Sequence, residues 1–178
     1  MNNIERAKKF ATNKFFEVNI QNHFLEVYSF LKEDFKVEDE AILIAGLLHD
    51  VLEDTNTSDT EITKKFGQDV LNLVLEVSHP KNWRDQTRPK MTAQDLMTEY
   101  YEHIRKISDR AKLIKIADFT SHIENFIEIY QKNEQHLYPK FVNNDKYIIQ
   151  IQSFLHSCED SLAKKHLWKL TEELKSFL

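Results

Sequence analysis

The sequence predicts an all-α protein, a compact multi-helix bundle. Three observations predict it. Two glycines and three prolines in 178 residues leave few turn formers for a strand-and-hairpin fold. Apolar residues recur at helical spacing along most of the chain. The stretch from Ala41 to Leu52 is apolar on nearly every face, which marks a central, buried helix.

The elements follow in order. A first amphipathic helix is expected over about 3–17, and "NIQN" breaks the chain before a second over about 21–33. "KVEDEAILIAGLLHDVLED" predicts a third over about 38–54, followed by the loop "TNTS". Ser58 and Glu61 have the spacing of a capping box, opening a short helix that stops at Gly67. "QDVLNLVLEVSH" reads as a fifth helix, ended by Pro80. Residues 80–91 hold two prolines and four basic side chains, Lys81, Arg84, Arg88 and Lys90, and read as a loop that could act as a flap. A helix over about 92–107 comes next, and Asp109 is expected to cap "RAKLIKIADFTSHIENFIEIY". Two last helices, about 143–157 and 159–177, are expected to pack on the rest of a single domain spanning 1–178.

Composition narrows the function. Hydrophobic residues make up 41% and charged residues 30%, an ordinary balance for a soluble protein. A net charge of −5 argues against nucleic acid or an acidic membrane as partner, and leaves room for a small phosphorylated ligand held by metal and local lysines. The N-terminal "MNNIERAKKF" lacks the apolar core of a signal peptide, and no apolar run reaches membrane-spanning length. One cysteine, Cys158, excludes an internal disulfide and reads as a buried small residue, so a cytoplasmic location is expected. The oligomeric state is left open.

The chemistry concentrates in "HDVLEDT", residues 49–55. His49, Asp50, Glu53 and Asp54 end a greasy helix, where the macrodipole is negative and repels carboxylates. A metal ion would resolve the conflict. His49 shares a helix face with Glu53, and Asp50 with Asp54. Imidazole with carboxylate suits manganese, iron or zinc. Two ligands are too few, and two other apolar helices offer more: His23 beside Phe24 and Leu25, and Asp118 within "LIKIADF". His23, His49, Asp50 and Asp118 make two nitrogens and two oxygens, leaving Glu53 and Asp54 for proton transfer. Asp118 could instead pair simply with Lys115. Tyr147 could stack on a base or belong to the core. His79, His103, His136, His156 and His166 show no partner pattern and read as surface or packing residues.

The stretch "AGLLHDVLEDTNTSDTEITKKFGQDVLNLVLEVS", residues 45–78, closely resembles the signature of the RelA/SpoT-homologue hydrolase domain, within the HD metal-dependent phosphohydrolase superfamily. "AKLIKIADF" resembles its later aspartate motif and "NHFLEV" its early histidine motif. The chain length is similar to that of the small alarmone hydrolases. This resemblance implies His23, His49, Asp50 and Asp118 as metal ligands, with manganese the usual ion, and Glu53 and Asp54 as the residues that position and activate water. It implies removal of the 3′-pyrophosphate from ppGpp and pppGpp, leaving GDP or GTP. Thr55 and Lys115 stand where that family keeps a threonine and a lysine. Where the family usually has a nucleotide-holding asparagine, this chain has His122. The basic segment before the early histidine is shortened, leaving Lys14 as its main cation. The metal and acid machinery thus matches while the substrate pocket differs. Another small nucleotide such as NADPH, or a non-catalytic nucleotide-binding module, are the alternatives.

Overall fold

The structure, a computed structural model, describes residues 2–19, 22–79, 92–137 and 145–178. The basic segment 80–91, with Lys81, Trp83, Arg84, Arg88 and Lys90, lies outside the described residues. Among the described residues all regular structure is helical, as the sequence predicts, and no helix is long and apolar enough to cross a membrane.

Helix α1 (Asn3–Glu17) opens on Asn2, whose side chain accepts from the Glu5 amide, and buries Ala7, Ala11 and Phe15 at i, i+4, i+8 spacing. Helix α2 (His23–Ser29) runs into a wider π-type turn over Phe30–Asp34. Helix α3 (Glu40–Leu48) is capped by Asp39, and every residue from Ile42 to Leu48 is buried, so it is the central helix its composition predicts. Helices α5 (Asp59–Phe66) and α6 (Gln68–Val77) meet at Gly67, whose φ of 91° only glycine adopts without strain. The Ser58 hydroxyl accepts from the Glu61 amide at 3.2 Å, one half of the expected capping box, while the Glu61 carboxylate pairs with Lys14 at 3.4 Å. Helix α7 (Ala93–Ile104) starts with a Thr92–Asp95 capping box, and α8 (Asp109–Gln131) is the longest described helix. Helices α9 (Asp145–His156) and α10 (Leu162–Lys175) follow.

Two local expectations are corrected. The helix expected over 38–54 breaks: α3 ends at Leu48, His49 and Asp50 form a turn, and a separate four-residue α4 covers Val51–Asp54. The amide N–H groups of Glu53 and Asp54 both close onto the Asp50 carbonyl at 3.0 Å. The cap of α8 is Ser108, whose side chain accepts from the Ala111 amide; Asp109 is the first helical residue.

Helix α8 is the hub. It packs against α2, α3, α6 and α10, while α2 and α3 pack on each other. The approach of α3 to the π-type turn is close: a Cβ on Gly46 would lie 2.5 Å from Leu31 Cδ1. Inside this apolar frame α8 buries four polar residues in one stretch, Lys115, Asp118, Thr120 and Ser121. Polar groups buried at this density need partners or a ligand.

Candidate metal centre

Asp118 is the meeting point, buried in mid-α8 at 5% exposure. Its Oδ2 accepts from the buried Lys115 ammonium one turn earlier on the same helix. Its Oδ1 is faced by three imidazole Nε2 atoms: His23 at 3.0 Å, His122 at 3.2 Å and His49 at 3.9 Å. Asp50 Oδ2 in turn lies 2.9 Å from His49 Nε2. The structure thus brings His23, His49, Asp50 and Asp118 together from α2, the α3–α4 turn and α8. Ligand atoms of His23, His49 and Asp50, and of His23, Asp118 and His122, form two groups, each with its atoms within 4.8 Å of one another.

Hydrogen bonds on the far side of each ring fix the tautomers. His49 Nδ1 lies 2.9 Å from the Gly46 carbonyl, which can only accept, so Nδ1 carries the proton. Ser121 Oγ donates to Glu26 Oε2, and therefore accepts from His23 Nδ1 at 3.0 Å. Both rings present Nε2 to the centre, the arrangement that second-layer partners give to metal-binding histidines. His49 Nε2 is buried and has no hydrogen bond of acceptable geometry, although Asp50 lies within contact. It is an orphaned nitrogen beside carboxylates.

The donor set fits a divalent ion. Bonds of about 2.1 Å meeting at right angles separate neighbouring ligand atoms by about 3.0 Å. The separations of 2.9, 3.0 and 3.2 Å, which are also ordinary imidazole–carboxylate contacts, lie near that edge, and the 3.9 Å from His49 Nε2 to Asp118 Oδ1 is longer. Electrostatics agrees. Burial pushes the His49 pKa down, but Asp50 and Asp118 outweigh it and carry the value up to about 9. Burial alone would raise the Asp118 carboxyl; Lys115 and the adjacent imidazoles of His122 and His23 hold it well below the usual carboxylate range. Lys115 responds in kind: burial lowers it, and Asp118 and Tyr100 raise it well above an ordinary lysine. Its ammonium also lies 5.3 and 5.0 Å from the Tyr100 and Phe119 ring centres. Without a cation at the centre, the carboxylates hold a proton on His49.

The two acids on α4 differ in their surroundings. The backbone N–H of His79 donates to Glu53 Oε1 at 2.9 Å, and its ring Nδ1 contacts Oε2. The same ring stacks on Tyr100 at 4.5 Å. Asp54, the next residue, is exposed. Sequence reasoning set His79 aside because no local pattern ties positions 26 residues apart; only the return of α6 past α4 joins them. Ser121 was missed for the same reason, although a small polar residue inside the apolar α8 was a signal; Glu26, three residues after His23 on α2, was a local signal that was passed over.

The other sequence candidates are spread out. Lys14 pairs with Glu61 at 3.4 Å, linking α1 to α5. The Thr55 hydroxyl lies 2.6 Å from the Val51 carbonyl, to which it donates, and 2.7 Å from the Thr57 hydroxyl, so it closes the end of α4. Tyr147 meets Phe119 and Phe126 edge-on at 6.2 and 5.9 Å. Lys115 and His122 lie at the cluster itself.

Comparison with known proteins gives a consistent result. The sequence matches the HD domain family over residues 5–142. A guanosine-3′,5′-bis(diphosphate) 3′-pyrophosphohydrolase MESH1 of Xenopus tropicalis is 45% identical over 97 residues, 54% of this chain and 50% of that protein. A guanosine-3′,5′-bis(diphosphate) 3′-pyrophosphohydrolase of Borreliella burgdorferi is 33% identical over 139 residues, 76% of this chain and 20% of that one. The chain thus spans about half the length of the MESH1 relatives it matches. A solved structure described as a metazoan orthologue of SpoT that hydrolyses ppGpp superposes with a TM-score of 0.73 at 24% identity, covering 100% of this chain and 98% of that one, which establishes a shared fold.

Proposed function

The chain belongs to the HD domain family, and on that premise we propose that it is a metal-dependent phosphohydrolase that removes the 3′-pyrophosphate of ppGpp and pppGpp. The observation that carries the proposal is the clustering of His23, His49, Asp50 and Asp118 at one partly buried spot, with both histidines turned so that Nε2 faces inward. The pyrophosphohydrolase names of the relatives support the same reaction. Manganese is the proposed ion, and 1–178 is proposed as one HD-type domain with α9 and α10 against α8. A cytoplasmic site of action suits a nucleotide substrate, with neither nucleic acid nor membrane as partner.

The proposed ligands are His23, His49, Asp50 and Asp118. An ion bound by them would supply Lewis acidity, polarising a phosphoryl oxygen and lowering the pKa of water. The chain's own groups do the rest. Lys115 neutralises the outer oxygen of Asp118 and leaves Oδ1 for the centre. The Glu26–Ser121–His23 relay holds one imidazole in its ligating tautomer. Glu53, steadied by His79, and Asp54, open to solvent, are the proposed acid–base pair. One takes a proton from water and one returns a proton to the departing 3′-oxygen. Lys115 and His122 border the centre, and Lys14, Thr55 and Tyr147 complete the proposed substrate-contacting set.

His122 favours a second reading, the same chemistry on another small nucleotide such as NADPH, because its Nε2 faces Asp118 rather than standing clear for a guanosine ligand. The test is a substrate panel. The purified protein with manganese is expected to turn over ppGpp and pppGpp in preference to NADPH and nucleoside monophosphates. Turnover of none defeats the enzymatic reading, and tight binding without product points to a nucleotide-binding module. Asp54→Ala is expected to abolish hydrolysis with unchanged thermal unfolding; retained activity removes Asp54 from the acid–base pair.

A further inference from the structure

We propose that His122 is a fifth protein ligand of the metal centre, so that this chain holds its ion with three imidazoles and two carboxylates. The proposal deepens the reading above and rests on it. Asp118 and His122 lie four residues apart on α8 and share a face. The His122 Nε2 stands 3.2 Å from Asp118 Oδ1, the oxygen that also faces His23 and His49. The rings of His122 and His23 stack at 4.6 Å with 29° between their planes, and the Nε2 atom of each lies close to that same oxygen. His23, Asp118 and His122 bring one ligand atom each within 4.8 Å of the others.

The donors fall into two groups that share His23, so a single ion must draw the His122 side and the His49–Asp50 side together, and the Lys115 contact favours that over two ions. A second ion would most simply share Asp118 through both carboxylate oxygens. Oδ2 is already committed to the buried Lys115 ammonium, so only Oδ1 faces the histidines. His122 therefore adds a third nitrogen to the existing donor set. Five protein donors leave one position of an octahedron for water or a phosphate oxygen. A nitrogen-rich set also shifts preference from manganese towards iron, cobalt, nickel or zinc.

The test uses the full chain and the metal alone. Wild-type protein is loaded with cobalt(II), its dissociation constant is measured by competition with a chromogenic chelator, and the bound imidazoles are counted by X-ray absorption spectroscopy. Three imidazoles are expected in wild type and two in His122→Ala, with cobalt binding weakened about 10–100-fold in the variant. The wild-type count stands even if the variant folds poorly. Two imidazoles in wild type, or equal cobalt affinity in the two proteins, overturns the assignment and leaves the four-ligand centre in place. Wild type that binds no cobalt or manganese overturns the centre as a whole, a different and separately recognisable result.

Discussion

Metal binding at this centre should be governed by the proton on His49, and its size follows from the structure. The ring is 1% exposed, and Asp50 and Asp118 carry its pKa up from 6.5 to about 9 despite burial. A metal must displace that proton, because only the neutral imidazole ligates. At pH 7, two units below the pKa, about one molecule in a hundred has the free nitrogen, so apparent affinity should be about 100-fold below its plateau. Asp50 and Asp118 are shifted downwards and stay ionised throughout this window. The dissociation constant for manganese, measured by chelator competition between pH 6.5 and 9.5, should tighten by at least about tenfold per unit up to about pH 9 and then level, the slope being steeper where His122, also raised by Asp118, gives up its proton. The metal-free protein should behave in the opposite sense. A folded-state pKa raised above the unfolded value gives stability that is fully present below about pH 6.5 and is lost as pH climbs through about 9. Chemical denaturation of the metal-free protein should therefore show a falling midpoint over that range. An affinity that is flat between pH 7 and 9, or a break near 6.5, refutes the claim that the carboxylates hold a proton on His49.

Other expectations follow from single contacts. Ser121→Ala removes the acceptor that fixes the His23 tautomer and should weaken manganese binding about 10–100-fold with little change in unfolding midpoint; equal affinity would show that the relay does not orient the ring. Gly46→Ala places a methyl 2.5 Å from Leu31 Cδ1, and with Leu31 fully buried the overpacking should cost about 1–3 kcal/mol in urea unfolding. An unchanged midpoint would mean that the π-type turn yields freely. Cys158 is buried and its thiol is pushed up to about 11, chiefly by burial, so it should resist a thiol reagent at pH 8 until denaturant is added. Prompt labelling of the native protein would contradict that burial.

Much of the fold was legible because helix signals are local. Apolar spacing within α1, the all-round apolar run of α3, the Ser58 cap and the glycine between α5 and α6 each act over a few residues. The break at His49–Asp50 was not legible. No proline interrupts Ala41 to Asp54, and the one glycine, Gly46, stays inside α3, so neither marks the turn that follows at His49–Asp50. The cap of α8 was misplaced by one residue because Ser108 and Asp109 are both good caps, and backbone geometry alone separates them.

The sequence by itself determined the all-helical class and the kind of chemistry: buried histidines and aspartates on apolar helices demand a compensating charge. Tertiary packing decided the rest. It set Lys115 on one oxygen of Asp118 and imidazoles on the other, drew Ser121 to the neighbouring His23 and Glu26 of α2 across more than 90 residues of chain, and joined His79 to Glu53. Tautomer, protonation and coordination depend on where a partner's lone pair or proton stands within a fraction of an ångström, and helices far apart in sequence fix that position only when they close on one another.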